Sequence, residues 1–167
     1  MNFTSERMAL MGEIISFFVP GIPRPGGSKR ALPIYCGKKG TPQRKWTGKT
    51  VVVDSSGDKG KNWRTDIQAE ATKHRPAELI TGPVHVTMTF FFSHPKSHYR
   101  SGKNSALLKE SVPLYHIVKP DALKLGRATE DALTGIIWRD DSQIVTEHLQ
   151  KAYRKSFSGV MISVTEL

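Results

Sequence analysis

Two adjacent aspartates, Asp140 and Asp141, follow the run Ile136-Ile137-Trp138-Arg139 and stand just ahead of what reads as a strand. Upstream lies Lys119-Pro120-Asp121-Ala122-Leu123, then Arg127, Glu130 and Asp131-Ala132-Leu133-Thr134-Gly135. Pro120 and Asp121 can start a helix, and Gly135 can end it. At 3.6 residues per turn, Leu123, Arg127, Glu130 and Thr134 fall on one side of that helix, opposite a stripe of Leu125, Ala128 and Ala132. Asp121 marks its entrance and the aspartate pair lies beyond its exit, so a strand folding back along the helix can draw the acids together. Clustered carboxylates suit hard divalent cations such as Mg²⁺, which also take the non-bridging oxygens of a phosphate. A metal held there can activate water for in-line attack on phosphorus. The same residues also fit a plainer role, with Asp121 as a helix cap and the pair as solvated turn residues.

The rest of the chain supplies charge of the opposite sign. Its 167 residues carry 25 Lys+Arg against 15 Asp+Glu, a formal net charge of +10. That excess attracts polyanions, nucleic acid first and an anionic membrane surface second. Acids for a metal and bases for a phosphate backbone are what phosphodiester hydrolysis needs. Cys36 is the only cysteine, which excludes an intrachain disulfide and a zinc site built from Cys pairs, and suits a reducing, cytoplasmic setting. No segment is long and apolar enough to span a bilayer, and Glu13 interrupts the apolar N-terminal stretch where a secretory signal would need continuity.

The length suits a single domain at residues 13–167, preceded by residues 1–12 as a loosely ordered extension. Glu13 to Val19 reads as a strand that ends at Pro20-Gly21-Ile22-Pro23. A basic, Gly- and Pro-rich excursion follows to about Lys61, with room for a short hairpin. Asn62 can cap a helix over Trp63 to His74, where Trp63, Ile67 and Ala71 share a face. Val84 to Phe92 alternates as a half-buried strand. After a long cationic loop comes the helix with the acids. Gln143–Tyr153 and Gly159–Glu166 then read as two strands, paired antiparallel. The expected fold is therefore α/β in the broad sense (α+β), a mixed sheet with two main helices in the order β-α-β-α-β-β.

Several residues outside the acid cluster could touch DNA. Lys29 and Arg30 follow Gly26-Gly27 and read equally as phosphate contacts or as a solvated loop. Lys96, His98 and Arg100 belong to the long loop, as do Lys103 and Lys109. His94 and His98 have a metal-like interval, but Pro95 opposes the helix which that interval presumes. His116 and Lys119 lie just ahead of Asp121, and packing is as good a reading for His116 as a place beside the scissile phosphate. Trp138, after two isoleucines, reads as core.

The stretch KPDALKLGRATEDALTGIIWRDDSQI resembles the signature region of the RusA-type Holliday junction resolvases, in a phage-like form. Weaker likeness extends to VPGIPRPGGSKR, VVVDSSGDKGKNWR and PKSHY, so that it covers most of the chain from about Glu13. The resemblance implies a mixed α/β fold, a homodimer, and Mg²⁺-dependent cleavage of Holliday junctions and other branched DNA by paired nicks, with Mn²⁺ as a substitute metal. It implies action in DNA recombination and repair, in the cytoplasm of a bacterial or phage-infected cell. Asp121 and Asp141 take the places of metal ligands, with Asp140 adjacent to assist; Arg127 stands where the family has a helix lysine, Lys151 matches a basic position on the next strand, and both are expected as catalytic residues that neutralise charge developing on the phosphate. One departure matters. Where the pattern has its second aspartate, this chain has Leu123. Glu130, two turns on and nearly on the same side of the helix, is the expected replacement as metal ligand and catalytic acid. Two alternatives stay open: a branched-DNA-binding protein that does not cut, which the departure at Leu123 keeps alive, and a structure-selective nuclease of broader purpose.

Overall fold

The computed structural model describes residues 14–27, 29–54 and 57–167; the extension expected at residues 1–12 lies outside them. Among the described residues, six strands and two main helices follow in the order β1 (Ile14–Pro20), β2 (Lys29–Cys36), β3 (Lys45–Asp54), α1 (Gly57–Lys73), β4 (Val84–Ser93), α2 (Ala122–Leu133), β5 (Ile144–Arg154) and β6 (Gly159–Glu166). This is the mixed α+β architecture that the sequence leads one to expect. The main sheet has the order β1-β6-β4-β5, while β2 and β3 form a separate two-stranded ribbon.

Alternation builds the core. In β4, Val84, Val86, Met88 and Phe90 are fully buried, and in β6 so are Val160, Ile162 and Val164. The helices add Trp63, Ile67 and Ala71 from α1, and Leu125, Ala132 and Leu133 from α2. Each large side chain of this kind contributes about 1.5–3 kcal/mol on leaving water. α1 packs against β1 and α2, and α2 packs against β5, so one continuous cluster joins both helices to the sheet. Trp138 is part of it, fully buried, with its indole N–H donating to Thr134 Oγ1 at 3.1 Å.

Two expectations change. α1 starts at Gly57 rather than after Asn62, although Trp63, Ile67 and Ala71 do form its buried face. The last two strands do not pair with each other: β6 lies between β1 and β4, antiparallel to both, and β5 takes the outer edge parallel to β4. The apolar content decides the order. β6 is buried at alternate positions and belongs in the centre, whereas the first half of β5 exposes Val145, Thr146, Glu147 and His148 and tolerates an edge. The β4-to-β5 connection runs through α2, the crossover that parallel neighbours require.

Candidate active site

α2 forms because Ala122 to Leu133 holds good helix formers around an apolar stripe, with Asp121 in the extended N-cap conformation. It ends where Gly135 takes φ +80°, a conformation that a side chain would strain. The turn beyond is tied down from several directions. Gly135 N–H donates to Trp138 O at 2.7 Å, Ile80 N–H to Ile137 O at 3.0 Å, and Arg139 N–H to Ile80 O at 3.1 Å. Gln143 Nε2 then donates to Ile80 O and Gly82 O. The Asp140–Asp141 pair is thereby delivered from a fixed base.

β5 folds back antiparallel to α2, and this sorts the acids into two groups. At the helix exit, Glu130, Asp141 and Glu147 line an open cleft of about 350 Å³ together with Ser142, Ile144, Val145 and Thr146. Burial pushes the half-buried Glu130 carboxyl up to about 8, helped by a hydrogen bond with Glu147 and by the negative charge of Glu147, Asp141 and Asp131. Glu130 therefore keeps its proton at neutral pH. Their approach depends on Gly126, where a Cβ would lie 2.9 Å from both Glu147 Oε1 and Leu149 Cδ1.

Asp121 is at the other end of α2, nine residues and about 13 Å of helix rise from Glu130. Its exposed carboxylate stands 3.7 Å from Lys124 Nζ. Its backbone is held from β5: Lys151 Nζ donates to Val118 O at 2.8 Å and to Pro120 O at 2.7 Å. The segment before it runs along the outer edge of β5, with His116 N–H donating to Lys151 O and Tyr153 N–H to Leu114 O. Within one chain the fold therefore brings Glu130 and Asp141 together and leaves Asp121 apart.

The other expected site residues fall as follows. Asp140 caps the short turn Asp141–Gln143, accepting from Ser142 N–H at 2.9 Å while its own N–H donates to Gln143 Oε1. The bonds from Ser142 hold its carboxyl below the usual range. Arg127 is exposed on the α2 face shared with Glu130. His116 is buried with its ring stacked on Phe92, centroids 3.9 Å apart, so it packs rather than reaching outward. Burial, with Lys151 second, pushes its pKa down. His98 Nδ1 lies 3.1 Å from His94 Nδ1, beside Tyr153. Lys96, Arg100 and Lys119 are exposed, and Arg100 pairs with Glu110 at 2.9 Å. Lys29 and Arg30 open β2, and their side chains lie outside the described residues.

Glu147 escaped the sequence reading. Period-2 alternation would have found it, since Lys151, Leu149 and Glu147 share the β5 face turned to α2. Among the described residues no three acidic, His or Cys side chains already stand as a ligand set for one ion. The donor chemistry nevertheless fits Mg²⁺: all the donors are oxygens, and Glu130, Asp141 and Glu147 line one cleft.

Comparison with known proteins adds two findings. The family model described as Endodeoxyribonuclease RusA matches residues 37–165. The Bacillus subtilis (strain 168) protein described as "Uncharacterized protein YqaN" is 33% identical over 106 residues, covering 64% of this chain and 72% of that protein.

Proposed function

This chain belongs to the RusA endodeoxyribonuclease family, and from that premise we propose that it hydrolyses phosphodiesters in branched DNA, Holliday junctions above all, by paired nicks during recombination and repair. The observation that carries the reading is the cleft in which Glu130 is crowded by Glu147 and Asp141, in a chain of net charge +10. A carboxyl held to about 8 by burial and like charge is a place prepared for a cation. Glu130, Glu147 and Asp141 would hold Mg²⁺, with Mn²⁺ as a substitute, and the bound ion would supply a water of lowered pKa. Glu130 would give up its proton to hold the ion. Arg127, on the same face, neutralises charge developing on the phosphate. Lys151 acts at one remove, fixing the main chain of the Asp121 loop. Asp140 caps the turn that aims Asp141.

Asp121 enters this reading through a second copy. Ile117 is 81% exposed and Leu123 75%, and with Val118 they flank Asp121 as apolar surface without cover among the described residues. A two-fold axis crossing the middle of α2 would bury this surface and set Asp121 of one copy beside Glu130 and Asp141 of the other. Leu123, where the family places an acid, would then serve the interface.

The test is incubation of labelled four-way, forked and linear duplexes with and without Mg²⁺, using wild type, Asp141→Asn and Glu130→Gln. Mg²⁺-dependent nicking of branched substrates by wild type alone is the expected result. Binding of junctions with no Mg²⁺-dependent product would instead mark a non-cutting binding protein. Equal cutting of forks and four-way junctions would mark a nuclease of broader purpose.

A further inference from the structure

The β2–β3 ribbon stands outside the main sheet and outside the site. Between positions 29 and 53 the sequence has seven Lys or Arg and no Asp or Glu, in a stretch that folds back on itself as an antiparallel pair. Every side chain from Ala31 to Val52 is exposed except Thr41, which is half-buried. The cations gather in the outer half, with Lys38, Lys39 and Arg44 around the tip and Lys45 and Lys49 on β3. Two aromatics sit among them. Tyr35 and Trp46 are cross-strand partners, the Arg44 guanidinium lies 4.3 Å from the Tyr35 ring centroid, and Trp46 is 59% exposed. A lone ribbon gains little by exposing such rings to water.

We infer that this ribbon is a duplex-DNA clamp, gripping an arm of the branched substrate away from the cleavage centre. The inference rests on the reading of DNA as substrate. A two-stranded ribbon matches the width of a B-DNA major groove. Lysines and arginines without interspersed acids suit the phosphates on either side, and Trp46 and Tyr35 offer flat faces to sugar or base.

The test uses the full chain in EDTA, so that binding is read without cleavage, on a four-way junction and on linear duplex. The triple variant Lys38→Gln/Lys39→Gln/Lys45→Gln is compared with wild type across salt concentrations. Three lost phosphate contacts lower the slope of log affinity against log salt by up to about 3, so the variant's affinity falls by about 40-fold less than wild type's between 50 and 200 mM salt. Iodide quenching supplies the second readout. Trp63 and Trp138 are buried, so the quenchable emission belongs to Trp46 and should be shielded when DNA binds. An unchanged slope with no shielding overturns the clamp. So does a variant that loses self-association while keeping its salt slope, because the ribbon would then be an arm for a second copy. DNA binding that depends on the ribbon in a protein that cuts nothing supports the clamp and sinks the nuclease reading. Mg²⁺-dependent cutting with affinity indifferent to the ribbon does the reverse.

Discussion

The two ends of α2 hold carboxylates in opposite circumstances. At the entrance Asp121 is exposed, its charge answered by Lys124, while the main chain around it is fastened by Lys151. At the exit Glu130 is pressed against Glu147 and its proton is retained to about pH 8. The first arrangement fixes where an acid sits and leaves its oxygens open; the second crowds acids against one another. Nine residues separate Asp121 from Glu130, so within one chain the two arrangements lie apart. In the proposed dimer a second copy would bring the two kinds of end together.

The largest effects should come from the exit. Glu130→Gln and Asp141→Asn should each lower Mg²⁺-dependent cleavage by more than about 100-fold, read as the rate at saturating enzyme. If Glu130→Gln cleaves near-normally, the crowded end is not the metal end. At the entrance, Lys151→Met removes two charge-assisted hydrogen bonds and should cost about 2–3 kcal/mol of stability by chemical denaturation. Its cleavage should fall with Asp121 intact; full activity in a destabilised variant would remove the positioning role.

The pH dependence sharpens the contrast further. Glu130's folded pKa, about 8, exceeds its unfolded value near 4.5, so the folded chain binds the extra proton. The stability this provides is complete below about pH 4.5 and is lost as pH rises toward 8. Metal-free wild type should therefore lose Tm across that window more steeply than Glu130→Gln, and Mg²⁺ should restore more Tm at pH 8 than at pH 6. Equal slopes would show that Glu130 ionises normally. Gly126→Ala should have the smallest effect. The added Cβ crowds Glu147 and Leu149 at about 1–3 kcal/mol, while the helix gains about 1 kcal/mol on losing glycine, so the net cost in stability is about 0–2 kcal/mol. The Glu130–Glu147 pair should loosen, which would flatten the same Tm-against-pH slope.

Much of this was legible from local pattern. The α2 stripe, the stop at Gly135, the buried Trp138 and the placing of Glu130 near Asp141 all follow from spacings within a few turns. What escaped depends on distant pairing. β5 and β6 are sequence neighbours and look like a hairpin, yet the centre of the sheet goes to the strand with the more buried alternation, which separates them. Glu147 was missed with that strand's facing. The separation of Asp121 from Asp141 is likewise invisible until β5 is seen running the full length of α2. His116 and Lys151 show the same limit from the other side: each looks available in the sequence, and the fold engages one in stacking on Phe92 and the other on two carbonyls.

The most direct test of a site shared between copies is complementation. Asp121→Asn and Asp141→Asn, each inactive alone, are co-expressed with different tags and the mixed dimer is purified. If Asp121 of one copy serves Glu130 and Asp141 of the other, each mixed dimer regains one intact site, and Mg²⁺-dependent nicking returns to about half the wild-type rate per dimer. If mixed dimers stay as inactive as either parent, the acids act within one chain and the division between the two ends of α2 does not describe the working enzyme.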